Sequence, residues 1–332
     1  MNTQRTKFLF LTLLCLGLGT ALLVWGEVTL RFTDLWALAT GQAPPDSLQF
    51  SVFWDIRFPK AITAWMAGAG MGVSGLLMQT YFRNPLAGPY ELGIQAGASL
   101  GVAVSLLAIG SWAGEWGHVA SAGLGAGAAL FVMLWTAQRL SGTATLLILG
   151  VLLGYVVGAV VNVLVYFSPP EQVRLFSVWG MGSFSGVTRA QLGWVSGGVS
   201  IGLLMAYLFA KPLNALLLGG HYAQSLGVNW RKTQWGVMGA TALMAGMITA
   251  YCGPVAFVGI AVPHVSRMFF RTGDHRVLVP ASALVGAAMT MLATLGTQLP
   301  PQGMTVPLNA VLALLGAPVI IWVLVRRTIL VS

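Results

Sequence analysis

The chain reads as long apolar runs broken by short polar or glycine- and proline-bearing interruptions. A helix of roughly 20 apolar residues crosses about 30 Å of hydrocarbon. Ten such runs occur, near residues 8–27, 61–82, 92–111, 117–138, 145–167, 190–210, 234–252, 255–271, 277–298 and 306–325. The expected fold is an all-α integral membrane protein with ten transmembrane helices, forming one membrane domain over residues 1–332 with both termini on the same side. The seventh and eighth runs are parted only by a turn at Gly253 and Pro254. A chain that reverses at such depth needs protein packed around it, because no water is present to satisfy the freed backbone groups. Residues 213–231, LNALLLGGHYAQSLGVNWR, interrupt the pattern between the sixth and seventh runs. This stretch is too polar to span and too closely flanked to be a linker, so it reads as a ledge offered to a soluble partner.

Composition agrees with the pattern. The chain is 57% apolar and only 8% charged, with 42 glycines, whereas a soluble domain carries about three times as many charges. Cys15 and Cys252 lie inside apolar runs and have no metal-ligand spacing, so they read as packing residues. The first run continues to Trp25 without a small-residue cleavage site, which favours a retained helix over a removed signal.

The net charge of +9 changes meaning once the basic residues are located. With the termini cytoplasmic, the outer segments hold Arg31, Arg57, Lys60, Arg174 and Arg189, and the other twelve of the seventeen basic residues lie inside. That bias orients membrane proteins, so basicity reports topology and calls for no nucleic acid. No Asp, Glu, Lys or Arg lies near the middle of a run, where ion-coupled carriers keep such groups despite their cost. This disfavours a secondary transporter or channel. The chain also lacks a phosphate-cradling glycine loop followed by Lys and Ser or Thr, so the energy is expected from a partner that hydrolyses ATP. A membrane-embedded enzyme ranks last, because no His, Asp and Ser or Glu set shares one depth. His118, His264 and His275 show no metal-ligand spacing.

Small residues recur four apart: Gly68 and Gly72, Gly97 and Gly101, then Gly150, Gly154 and Gly158. Helix packing alone accounts for such pairs. The third series has Asn162 one turn further on, so its face also suits a weakly polar path for a bulky solute.

Several long blocks carry a resemblance. IRFPKAITAWMAGAGMGVSGLLMQTYFRNPLAGPYELGIQAGASLG over residues 56–101 and GPVAFVGIAVPHVSRMFFRTGDHRVLVPASALVGA over 253–287 are the longest, joined by VWGMGSFSG over 178–186 and LLGAPVIIWVL over 314–324. Together they resemble the permease subunits of ATP-binding-cassette importers for ferric siderophores, haem and cobalamin. The resemblance implies a homodimer in the bacterial inner membrane, two ATPase subunits that hold ATP and magnesium, and a periplasmic or lipid-anchored binding protein. It implies no cofactor, metal or catalytic residue on this chain.

By that resemblance residues 213–231 are cytoplasmic coupling helices, with Leu218, Gly219, His221, Tyr222, Ala223, Leu226 and Gly227 facing the ATPase. Gly220 and His221 stand where the family usually has two acids, so the joint is expected to rest on shape and apolar contact. Arg57, Lys60 and Arg174 are the expected docking charges for the binding protein, with Gln298 standing where a further basic residue is common. Asn84, Leu86, Thr143 and Ala144 match a cytoplasmic gate, and Gly150, Gly154, Gly158 and Asn162 a translocation path. Ala144 replaces a small hydroxyl, and Thr305, Pro307 and Asn309 depart from the acid, proline and glycine opening of the tenth run. His264 belongs to a Pro-His element expected to serve as a structural hydrogen bond. The expected cargo is a ferric siderophore, ahead of haem or cobalamin.

Overall fold

The computed structural model describes residues 2–26, 28, 32–40, 44, 47–89, 93–109, 114–137, 139, 143–299 and 306–331. Thr305, among the positions singled out above, lies outside them. The described residues form helices joined by loops, with no strand. In chain order these are α1 (Asn2–Val24), α2 (Phe32–Ala39), α3 (Leu48–Ser51), α4 (Phe58–Tyr81), α5 (Ile94–Ala103), α6 (Gly114–Ala137), α7 (Thr143–Phe167) and α8 (Pro170–Gly180). They continue with α9 (Arg189–Leu208), α10 (Ala210–Leu217), α11 (Gly220–Ser225), α12 (Trp230–Cys252), α13 (Val258–Phe270), α14 (His275–Gly296) and α15 (Leu308–Val331). Wider π-helical turns, Val52–Arg57 and Val104–Ile109, lead into α4 and extend α5. Among the described residues seven helices are long and apolar enough to cross a membrane, and three shorter apolar helices, Ile94–Ile109, Val258–Phe270 and Leu308–Val323, fall on three further apolar runs. The short helices α2, α3 and α8 have no counterpart in the hydropathy pattern.

Helix α4 is the axis of the bundle, with α9, α12, α13 and α14 packed around it. Glycine makes this crowding possible. A Cβ on Gly68 would fall on the Gly286 carbonyl of α14, and one on Gly286 would fall on the Gly68 carbonyl. At Gly75 it would strike the Gly259 carbonyl of α13. The pair Gly97 and Gly101 does the same for α5 against α6, meeting the carbonyls of Gly125 and Ser121. Without a Cβ the backbones approach to contact distance, the usual device where lipid supplies no hydrophobic drive between helices.

Basic side chains pin both ends of α1. Lys7 Nζ donates to the Phe269 carbonyl at 2.6 Å, at the end of α13. At the other end the Arg57 guanidinium donates to the carbonyls of Leu23 and Val24 at 2.8 Å, and to Val28. These carbonyls lack partners within the helix, and a cation there also opposes the helix dipole.

The reversal between α12 and α13 is packed against protein, as expected from its place between two apolar runs. Gly253 takes φ +73°, with the Trp179 carbonyl over the position a Cβ would occupy. Ser183 N–H donates to the Cys252 carbonyl at 2.8 Å. Asn309, at the start of α15, completes the turn: its Oδ1 accepts from Ala256 N–H at 3.0 Å and its Nδ2 donates to the Pro254 carbonyl at 2.9 Å. The departure from the family pattern at this position therefore has a structural use.

Candidate functional site

The face carrying the third glycine series is open. Gly150, Gly154, Gly158 and Asn162 line one groove of about 410 Å³ with Gln95, Ala96 and Ser99 of α5 and Phe176 of α8. A Cβ on Gly154 or Gly158 would meet nothing within 4 Å, so these two glycines do not serve close packing within the chain. Gln95 and Ser99 are polar lining residues that the sequence reading missed. Their signal was present, since two polar residues four apart share one face of an otherwise apolar helix.

The loop between α4 and α5 holds Asn84 and Leu86. Asn84 Oδ1 accepts from Leu86 N–H at 3.0 Å, and its carbonyl accepts from Ala87 N–H at 3.1 Å, which makes a compact Asx turn with Leu86 exposed. His264 of α13 holds this loop through Nε2 and the Pro85 carbonyl at 2.9 Å, the structural hydrogen bond expected of the Pro-His element. Nearby, Gln79 donates to the Ile260 carbonyl at 3.1 Å and accepts from Arg267 at 2.6 Å, so α4 and α13 are joined beside the loop. Thr143 and Ala144 lie in the first turn of α7, and their side chains are outside the described residues.

Residues 213–231 form a ledge of two short helices, α10 and α11, separated at Gly219 with φ +120°. Helix α11 ends in a Schellman arrangement: Val228 N–H donates to the Ala223 carbonyl at 3.0 Å and Gly227 N–H to Gln224 at 2.9 Å, with Gly227 at φ +80°. Asn229 then caps α12, its Oδ1 accepting from Lys232 N–H at 3.0 Å. This geometry leaves Leu218, Tyr222 and Leu226 exposed. Ala223 departs from the expectation. It is 1% exposed and belongs to the same buried cluster as Leu213 and Leu216 of α10, the helix against which α11 packs. It anchors the ledge and presents nothing outward. The His221 side chain lies outside the described residues. Below the ledge a groove of about 490 Å³ runs past Leu226, Gly227 and Asn229, with Lys211 and Lys232 among its lining residues.

Among the three docking candidates the structure separates one from the others. Arg57 is 6% exposed and its guanidinium is engaged by the end of α1, so it is a capping residue and not a rim charge. Lys60 is half-buried one turn later on α4. Arg174 stands exposed on α8 and pairs with Glu171 at 2.8 Å. Its hydrogen bond, and then its charge, hold the Glu171 carboxyl below its usual range. Ser105 Oγ lies 2.8 Å from His118 Nδ1, and among the described residues no three His, Cys, Asp or Glu side chains gather as a metal site.

Helices threaded through one another's glycine faces, an open groove along two of them and a ledge at one end define a multi-pass membrane permease. The chain belongs to the FecCD transport family, whose pattern it matches over residues 9–326. It is 34% identical over 328 residues to the hemin transport system permease protein HmuU of Yersinia pestis, covering 96% of this chain and 95% of that one. Over 277 residues it is 38% identical to the vitamin B12 import system permease protein BtuC of Klebsiella pneumoniae, covering 82% of each. It also superposes on a solved transporter described as of the metal-chelate ABC type in an inward-facing conformation, with TM-score 0.85 and 26% identity, covering 97% of this chain and 99% of that one.

Proposed function

We propose that the protein is the permease subunit of an ATP-driven importer for a bulky metal chelate in a bacterial inner membrane. It works as a homodimer with two ATPase subunits and a binding protein on the outer side. The groove between α5 and α7 carries this reading, because Gly154 and Gly158 keep it wide and Asn162, Gln95 and Ser99 offer it only neutral polar contacts. A charged, hydroxyl-rich or macrocyclic solute passes such a wall without being held. In this reading the three shorter apolar helices join the seven long ones as crossings, ten in all, with both termini cytoplasmic. The α10–α11 ledge is the coupling element, with Leu218, Tyr222 and Leu226 facing the ATPase and Lys211 and Lys232 favouring acidic groups on it. Asn84 and Leu86 close the path on that side, and Lys60 and Arg174 receive the binding protein.

On cargo, relatives named for hemin and vitamin B12 raise metallated tetrapyrroles level with the ferric siderophore that the sequence reading ranked first. Uptake by proteoliposomes holding the chain, its ATPase and its binding protein tests the mechanism. Uptake is expected only with hydrolysable ATP; uptake that persists undiminished without ATP rejects the reading. Screening the binding protein against a ferric siderophore, haemin and cyanocobalamin separates the cargoes.

A further inference from the structure

A partly buried polar chain joins the ledge to the end of α4, just before the loop bearing Asn84, using one residue from each of three helices. Asn214 lies on α10, His275 opens α14 and Thr80 sits in the last turn of α4. Asn214 Nδ2 donates to Asp274 Oδ1 at 2.6 Å, and Asn214 Oδ1 accepts from the His275 backbone N–H at 2.8 Å. A carboxylate only accepts and a backbone N–H only donates, so these two bonds fix which end of the amide is oxygen. The same oxygen lies 2.7 Å from His275 Nδ1, which must therefore carry a proton. In the neutral ring Nε2 is then the acceptor, and the Thr80 hydroxyl donates to it at 2.8 Å. His275 is 1% exposed and Thr80 5%, so water does not compete for the bond between them. The Asp274 carboxyl is held below its ordinary range, mainly by the Arg276 backbone N–H with Asn214 adding to it, which keeps the acceptor ionised.

A second strut runs beside the first. Arg83 Nη2 donates to the Leu216 carbonyl at 3.0 Å, at the end of α10. Arg83 holds φ +50°, left-handed backbone that a residue with a side chain rarely adopts and that persists where its surroundings impose it. Asn84 follows directly. Both struts leave α10, one reaching α4 through His275 and the other reaching the loop at Arg83. Two such attachments resist both sliding and rotation, whereas a single contact would act as a pivot.

We infer that Asn214, His275, Thr80 and Arg83 are positioning residues which make the α10–α11 ledge and the 82–89 loop one rigid unit, so that displacement of the ledge is delivered directly to Asn84 and Leu86. This rests on the importer reading above, and it names the route by which the ATPase moves the gate. The alternative route, through α9 and α12, uses neither strut.

The test uses the full complex in proteoliposomes, with spin labels at the exposed Gln224 of α11 and Leu86 of the loop. The expected separation changes by less than roughly 2 Å, the scale of ordinary helix shifts, between nucleotide-free and ATP-trapped states. A larger change in the otherwise unsubstituted chain overturns the inference, whatever the variants do. Thr80→Val keeps shape and removes the hydroxyl. It is expected to leave ATP hydrolysis within about twofold while lowering uptake per ATP by about tenfold, within the usual span of coupling between sites. Uptake is measured with ferrichrome, haemin or cyanocobalamin, whichever the unsubstituted complex imports. Thr80→Ser is expected to restore coupling, which separates positioning from a packing defect. Unchanged uptake per ATP in Thr80→Val also overturns the inference. A chain that binds no ATPase would instead remove the importer reading, and that is seen before any substitution is compared.

Discussion

Where α4 crosses α14, a Cβ on Gly68 would land on the Gly286 carbonyl and one on Gly286 on the Gly68 carbonyl, while on α7 a Cβ on Gly154 or Gly158 would meet nothing within 4 Å. Both sets have the four-residue spacing that puts small residues on one helix face. The window around α4 is 83% buried and that of α7 only 17%. Glycine removes a side chain in both places, and the surroundings decide what fills the vacated space. On α4 another backbone fills it and the helices lock. On α7 the space stays open, and the proposed solute path runs along it. The two arginines that the sequence offered as docking charges divide in the same way, with Arg57 buried beside α1 and Arg174 exposed on α8.

These contrasts can be broken by substitution. The largest effect is expected from Gly68→Leu, which drives α4 away from α14 and costs about 3 kcal/mol or more by overpacking. Thermal unfolding in detergent checks this, and an unchanged midpoint would mean the crossing is looser than described. Arg57→Ala frees carbonyls at the end of α1 from a charged donor and should cost about 2 kcal/mol, with affinity for the binding protein unaltered. A weakened affinity with normal stability would return Arg57 to the rim. Gly154→Leu is expected to leave stability within about 0.5 kcal/mol. By narrowing the groove it should slow uptake about tenfold, or about 1.4 kcal/mol of barrier. Full transport in that variant would place the path elsewhere. The smallest effect belongs to Arg174→Glu, expected to slow association with the binding protein a few-fold at low salt and hardly at all at high salt. Stability should stay within about 0.5 kcal/mol, since an exposed ion pair contributes little.

Much of the site was legible in the sequence, for identifiable reasons. The glycine faces followed from spacing, the ledge from its polarity between apolar runs, and the packed turn at Gly253 from the lack of water at that depth. Gln95 and Ser99 were equally legible from their four-residue spacing, but neutral polar side chains on an apolar helix carry a weaker signal than glycine or charge. Ala223 was expected to face outward, and its burial follows from the packing of α11 on α10, a contact that local spacing does not reveal. Asn309 was read as a departure because the turn it completes lies 53 residues away at Ala256.

The sequence by itself determined that this is a helical membrane protein, where its apolar segments run and which family it belongs to. Segment length against bilayer thickness and side-chain periodicity are local properties, and local properties can be read along a chain. Tertiary structure alone decided which glycines are closed by a neighbour, which arginine is buried and which polar residues meet. The Thr80 hydroxyl and His275 ring are 195 residues apart in sequence and 2.8 Å apart in space, and a side chain's role at such a contact is set by the partner that folding brings to it.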